Sequence, residues 1–304
     1  MFGSIYQGKS SFGTVFYEHP HYLKKLPEGE ELVMPTVQTN DGTNIYYEKH
    51  GEGRPLVMIH GWGFSGRFFH RNIKCLAEHA RVITIDLRGH GNSDKPDHGY
   101  HVPRLARDLY DIFVQLNLQD VTVLGWSLGC PVIWSYLELF GNERLRQAIF
   151  VQQTPKQYYN FDWKYAHASC YDDASFQYMK AQVQLDTAHF DQNQINTIIS
   201  TDLSKEERNM LLTEMAKTPT FARVAIMADH TRYDWRDFLP HINLPSLVLV
   251  AQKDSVFDWR GPAWVGEHIP NAKTVFFENS SHALFMDEVE KFNETVLRFM
   301  SEGN

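Results

Sequence analysis

Three observations place this chain in the α/β class, with a mostly parallel central sheet flanked by helices and interrupted by one helical insertion. Short runs at 56–59, 82–85 and 247–251, apolar but for Thr84, read as strands buried on both faces. Amphipathic stretches at helical spacing separate such runs, and strands alternating with helices require right-handed crossovers. A β-branched run, Val121-Thr122-Val123-Leu124, ends in Gly125-Trp126-Ser127-Leu128-Gly129 and then turns helical, so strand, tight turn and helix follow one another directly.

In order along the chain, residues 33–39 and 44–50 flank Asn40-Asp41-Gly42 and predict an antiparallel hairpin. The strand at 56–59 runs into His60-Gly61-Trp62-Gly63, and a helix is expected over about 68–79. The strand at 82–85 leads to Asp86-Leu87-Arg88-Gly89-His90-Gly91-Asn92-Ser93-Asp94, whose glycines and short polar side chains suit a folded turn. Leu105, Leu109, Ile112, Phe113 and Leu116 then recur at helical spacing. After the serine turn come a helix through Tyr136 and a strand at 147–151.

The alternation breaks near Thr154-Pro155. Helical stripes follow without strand-like runs: Phe176 with Met179 and Val183, Ile195 with Ile198 and Ile199, Leu211 with Leu212 and Met215, Phe221 with Val224 and Ala225. Aromatics are dense here as well, in Tyr158, Tyr159, Phe161, Trp163, Tyr165 and Tyr171. A cap over the mouth of the sheet accounts for both features. The α/β rhythm resumes at 244–250, ending at Asp254, then a helix near 262–268, a strand at 274–277, the loop Asn279-Ser280-Ser281-His282 and one last helix over about 284–300. The expected division is an N-terminal arm at 1–32, a core at 33–155 and 238–304, and a cap insertion at 156–237. The aromatic-rich arm fits either a partly ordered tail or a segment lying on the domain or on a neighbouring subunit, as in a homodimer.

With 304 residues and 43% apolar content, the chain can bury a sizeable core. A formal charge of -8 leaves no basic stripe for phosphates, which argues against nucleic acid and for a small, neutral or hydrophobic ligand. Cys75, Cys130 and Cys170 form no C-x-x-C pair, which fits neither a disulfide framework nor a zinc site and points to a reducing compartment. Residues 1–13 lack a signal-peptide pattern, and the longest apolar run is too short to cross a bilayer, so a soluble, cytoplasmic protein with no membrane partner is expected.

The anchors His60-Gly61-Trp62, Arg88 to Asp94, Gly125-Trp126-Ser127-Leu128-Gly129, Asp254 and His282 together resemble the α/β-hydrolase family from about residue 33 to the C-terminus, the cap excepted. The pairing of H-G-W with G-W-S-L-G is most similar to its small esterase, lactonase and non-haem perhydrolase members. The resemblance implies a serine hydrolase whose triad runs Ser127, Asp254, His282 along the chain. Thioesterases, C–C bond hydrolases and perhydrolases use the same triad, and a ligand receptor on this scaffold is a further alternative.

The chemistry gives independent reasons for these residue types. A serine hydroxyl is too weak an acid to attack a carbonyl unaided, so it needs an imidazole to take its proton and a carboxylate to fix the imidazole tautomer. His282, between a late strand and the last helix, is the expected base; His60 precedes glycine and plays a supporting part in the family, and His90 sits in the glycine turn. Asp254 ends its strand directly, whereas Asp258 suits solvent or a helix cap and Asp86 a tight turn. Charge on the substrate oxygen needs two backbone N–H donors, from Leu128 and Trp62. Trp126, Phe64 and Trp163 are the candidates for substrate contact, and the cap aromatics imply a hydrophobic acyl or aryl group on an ester or lactone. No aspartate occupies the nucleophile position, which argues against dehalogenase or epoxide hydrolase chemistry. No metal-ligand spacing or dinucleotide fingerprint appears, so no metal and no cofactor are implied. Cys130, following the motif, is expected to be a buried, inert thiol.

Overall fold

The computed structural model describes residues 34–302, so the expectations for the arm at 1–32 lie outside the described residues. The hairpin forms from β1 (Thr36–Gln38) and β2 (Asn44–His50). It is followed by β3 (Pro55–Ile59), α1 (His70–Ala77), β4 (Arg81–Ile85), α2 (Val102–Gln115), β5 (Val121–Trp126), α3 (Gly129–Phe140) and β6 (Leu145–Val151). Four helices come next: α4 (Asp173–Leu185), α5 (Thr187–Ile198), α6 (Lys205–Ala216) and α7 (Thr220–His230). The chain closes with β7 (Ser246–Ala251), α8 (Arg260–His268), β8 (Ala272–Phe277), α9 (Leu284–Asp287) and α10 (Val289–Ser301).

The eight strands lie in the order β1-β2-β4-β3-β5-β6-β7-β8. The pairs β1/β2 and β2/β4 are antiparallel and all others parallel. Alternate residues of each central strand enter different halves of the core. Val57 and Ile59 pack with Phe113, Trp134 and Val265 on one face, while Leu56 and Met58 pack with Leu76, Phe292 and Val296 on the other. Burial on both faces is why these strands read as unbroken apolar runs rather than as alternating ones.

Three elements depart from expectation. The helix expected at 68–79 begins instead as a 3-10 turn, Gly66–Phe69, capped by Ser65 Oγ, and becomes α-helical at His70. The last helix is broken at Glu288, which has φ -119° and ψ 64°. The break turns Asp287 and Glu288 back onto the preceding loop, where their carboxylates accept hydrogen bonds from the Ser281 N–H at 2.8 Å and the Ser280 Oγ at 2.6 Å.

The third departure is α7. Phe221 is exposed, and Val224 and Ala225 are only half-buried. The buried face is Ala222, Arg223, Ile226, Met227 and His230. Two of its five positions are polar side chains that find partners inside the protein, so hydrophobic spacing pointed to the neighbouring face.

Candidate active site

The carboxyl ends of β3, β5, β6 and β7 and the loop after β8 meet at one rim, where ligands bind in open parallel sheets. At the end of β5, Ser127 has φ +52°, a left-handed conformation that a serine adopts at a cost of about 1–3 kcal/mol. The flanking glycines are sterically required. A Cβ on Gly125 would meet the Gly129 carbonyl at 2.4 Å, and a Cβ on Gly129 would meet the Ile59 oxygen at 2.5 Å. The Ser127 N–H donates to the Val151 carbonyl at 2.9 Å, and the Cys130 N–H donates to the Ser127 carbonyl at 2.8 Å, which closes the turn. Cys130 is fully buried with its thiol against the Gly125 carbonyl, and burial pushes its pKa up, away from the thiolate.

Strand β3 neighbours β5, with Ile59 opposite Gly125, so the loop His60 to Gly63 passes beside the serine. A Cβ on Gly61 would lie 3.1 Å from that of Ser127. Two buried histidines brace this loop. His60 Nε2 accepts the Leu87 N–H at 2.9 Å while Nδ1–H donates to the Gly61 carbonyl, and His90 Nε2 accepts the Gly63 N–H at 3.1 Å. Burial pulls His60 down to about 4 and His90 well below the usual imidazole range, so both are neutral acceptors. Trp62 is anchored by its indole N–H, which donates to the Arg223 carbonyl at 2.8 Å. Among the described residues, neither the Trp62 nor the Leu128 backbone N–H has an acceptor.

Asp254 follows β7, and its side chain is fully buried. Its carboxylate accepts four hydrogen bonds: from His282 Nδ1 at 2.9 Å, Gln152 Nε2 at 2.7 Å, the Val256 N–H at 2.8 Å and the Phe257 N–H at 3.2 Å. Burial of a carboxylate is offset by hydrogen bonds of this kind. His282 is held from behind, because its carbonyl accepts the Trp126 indole N–H at 3.0 Å. With Nδ1–H given to Asp254, the imidazole keeps Nε2 free for another proton, and His282 and Ser127 line the same cavity of about 400 Å³. No hydrogen bond to Ser127 Oγ is present among the described residues, so the structure joins Asp254 to His282 and leaves the hydroxyl unbound beside them. Asp258 pairs with Arg260 at 2.8 Å instead, and Asp86 accepts the Gly66 and Asn92 N–H groups in its turn.

Of the three substrate-contact candidates only Phe64 lines the cavity. Trp126 lies outside the lining, fully buried, with its ring stacked on Phe64 at 4.7 Å. Trp163 is also displaced: it packs edge-on against Trp264 at 5.7 Å and donates its indole N–H to the Lys156 carbonyl, because its loop folds back onto α8. Tyr159, Phe161 and Tyr171 are exposed. The lining contributed by residues between β6 and β7 includes instead Met179, Phe190 and Met227 with Gln157, His167 and His230.

Gln152 is the residue the sequence reading missed. It ends β6 with φ +49°, buried, and besides its bond to Asp254 its Oε1 accepts the Ala251 N–H at 2.6 Å. The available signal was a polar pair, Gln152-Gln153, at the carboxyl end of a buried strand.

A family model for the alpha/beta hydrolase fold matches residues 54–289, and the chain belongs to that family. By family it is a hydrolase. It is 29% identical to a non-heme chloroperoxidase of Kitasatospora aureofaciens over 88% of this chain and 100% of the relative. It is 25% identical to a pimeloyl-[acyl-carrier protein] methyl ester esterase of Vibrio cholerae over 84% of this chain and 97% of that enzyme. Among solved structures, an esterase of Exiguobacterium antarcticum superimposes with a TM-score of 0.84 at 26% identity, covering 89% of this chain and 100% of the other. No helix of the described residues is long and apolar enough to cross a membrane.

Proposed function

We propose that the protein hydrolyses carboxylic esters or lactones through an acyl-enzyme on Ser127. His282 Nε2 takes the hydroxyl proton as Oγ attacks, then returns it to the leaving alcohol; water activated by the same imidazole releases the acid. Asp254 holds the Nδ1–H tautomer and stabilises the imidazolium. The Trp62 and Leu128 N–H groups receive the developing oxyanion. The observation that carries this reading is the buried Asp254–His282 hydrogen bond beside a serine held at positive φ. Trp62, Phe64, Leu128, Val256 and Phe257 give the serine apolar neighbours that suit a hydrophobic acyl or aryl group. Residues 156–237 act as a cap over the core at 33–155 and 238–304. Three free cysteines support a reducing, cytoplasmic setting.

Ser127→Ala is expected to lose p-nitrophenyl ester turnover by about 10⁴-fold or more and to abolish labelling by an organophosphonate. Full activity in that variant sinks the mechanism. The similarity to a non-heme chloroperoxidase favours one second reading, in which hydrogen peroxide replaces water in resolving the acyl-enzyme. Peracid formation from acetate and peroxide, faster than ester hydrolysis, would establish it.

A further inference from the structure

The cavity is lined by apolar side chains such as Phe64 and Phe257 and by polar ones that include Gln157, His167, His230 and Asn193. Gln157 and His230 are each 3% exposed and hydrogen-bond to one another through the amide and Nε2. Among the described residues, Gln157 Oε1 and His230 Nδ1 have no partner. If the amide donates to Nε2, the orphans are a carbonyl acceptor and an Nδ1–H donor. If the amide is turned over, they are an NH₂ donor and an Nδ1 acceptor. Either assignment leaves one donor and one acceptor unpaired. Both atoms are buried although their residues line the cavity, and the terminal torsion of glutamine is soft, so its amide can turn.

His167 adds a third group. Its Nδ1 accepts the Ser169 N–H at 3.0 Å, which leaves a proton on Nε2, and that N–H has no partner among the described residues. The ring stands edge-on to Phe257 at 5.2 Å, and Phe257 lies 5.5 Å from His282, so one intervening ring separates His167 from His282. Burial holds His167 near 4 and His230 near 3, so both are uncharged at neutral pH. Among the described residues no lysine or arginine lines the cavity, and Asp186 sits in the lining. A carboxylate or phosphate would therefore meet no cation there and one like charge.

We propose that Gln157, His167 and His230 form a polar subsite that takes a hydroxyl group carried on the otherwise hydrophobic acid or alcohol part of the substrate. A hydroxyl both donates and accepts, which is what the Gln157–His230 pair lacks, and it brings no charge. This deepens the ester-hydrolase reading and rests on it for the chemistry at Ser127.

The test compares kcat/KM for matched esters: a plain p-nitrophenyl alkanoate, its hydroxyalkanoate and its dicarboxylic monoester, and separately an alkyl butyrate against a hydroxyalkyl butyrate. We expect the hydroxyl to raise kcat/KM by about tenfold in one of the two arms, and the carboxylate to give no gain. The hydroxyl-to-plain ratio is expected to fall toward one in Gln157→Leu and in His167→Phe. A ratio near one in both arms, a preference for the carboxylate, or a ratio kept in both variants overturns the proposal. Should those variants not fold, ¹⁵N imidazole spectra of the Ser127→Ala protein decide: His167 and His230 signals that shift with the hydroxy-ester and not with the plain ester support the subsite, and signals that stay put overturn it. Failure of the ester-hydrolase reading is seen separately, as no turnover of any ester and no phosphonate label, and the spectra still test the subsite.

Discussion

Gln152 shows how one side chain outside the expected set completes the site. It reaches Asp254 with its amide N–H and takes the Ala251 N–H with its oxygen, so it ties β6 to the end of β7 at the carboxylate that orients His282. Gln152→Leu keeps the volume and removes both bonds, leaving a buried N–H unpaired. It is expected to lower stability by about 1–3 kcal/mol in denaturant melts, with a matching fall in kcat. A variant as stable and as fast as the parent would show that these bonds contribute nothing net. At this scale the sequence separated Asp254 from Asp258 by position alone, directly after a strand versus four residues on. The structure adds the reason: Asp258 is held by Arg260, and Asp254 by two backbone N–H groups of its own loop and by Gln152 and His282 from other segments.

Among the elements, α7 links the inserted helices to the loop beside the serine. Arg223, fully buried, pairs with Asp191 of α5, with Nη2 3.0 Å from Oδ2, and donates to the carbonyls of Met215 and Thr218. Its own carbonyl takes the Trp62 indole N–H, and Trp62 packs edge-on against Phe190 at 6.0 Å. Removing one partner of such a buried pair strands the other charge. Asp191→Ala is therefore expected to cost about 3–5 kcal/mol by thermal or chemical denaturation; a loss under 1 kcal/mol would mean the insertion is held by its apolar contacts alone. The apolar stripes of α4, α5 and α6 were legible as helical spacing. That of α7 was not, because a face containing Arg223 and His230 carries no hydrophobic signature until its partners are in place.

Across the whole molecule, buried histidines set the response to acid. Burial brings His60 and His167 to about 4 and His230 to about 3, against an ordinary value of 6.5, and lowers His90 as well. A depressed folded-state pKa means that the unfolded chain binds more protons over this range. The stabilisation is then full above about pH 6.5 and lost as pH falls toward 4. Asp86, raised to about 6 by burial, acts in the opposite sense, since its contribution is present at low pH and lost as pH rises through 6. With these four imidazoles, and His70 lowered by burial as well, against the raised carboxyl of Asp86, the net expectation is a steep fall in the melting temperature between pH 6.5 and 4, worth on the order of several kcal/mol. A melting temperature flat across that interval would contradict the assigned protonation states.

Whatever is encoded by neighbours along the chain could be read directly. Strand runs buried on both faces and the glycines crowding Ser127 follow from local sterics and periodicity, while the order of Ser127, Asp254 and His282 was implied by the family resemblance. What lines the cavity could not be read that way. Trp163 folds back onto α8 and Tyr159, Phe161 and Tyr171 face outward, while Gln152, Gln157 and His230 are buried and His167 lines the cavity. A polar side chain is buried only when donors and acceptors from segments far off in sequence converge on it, and no spacing within one segment records that convergence.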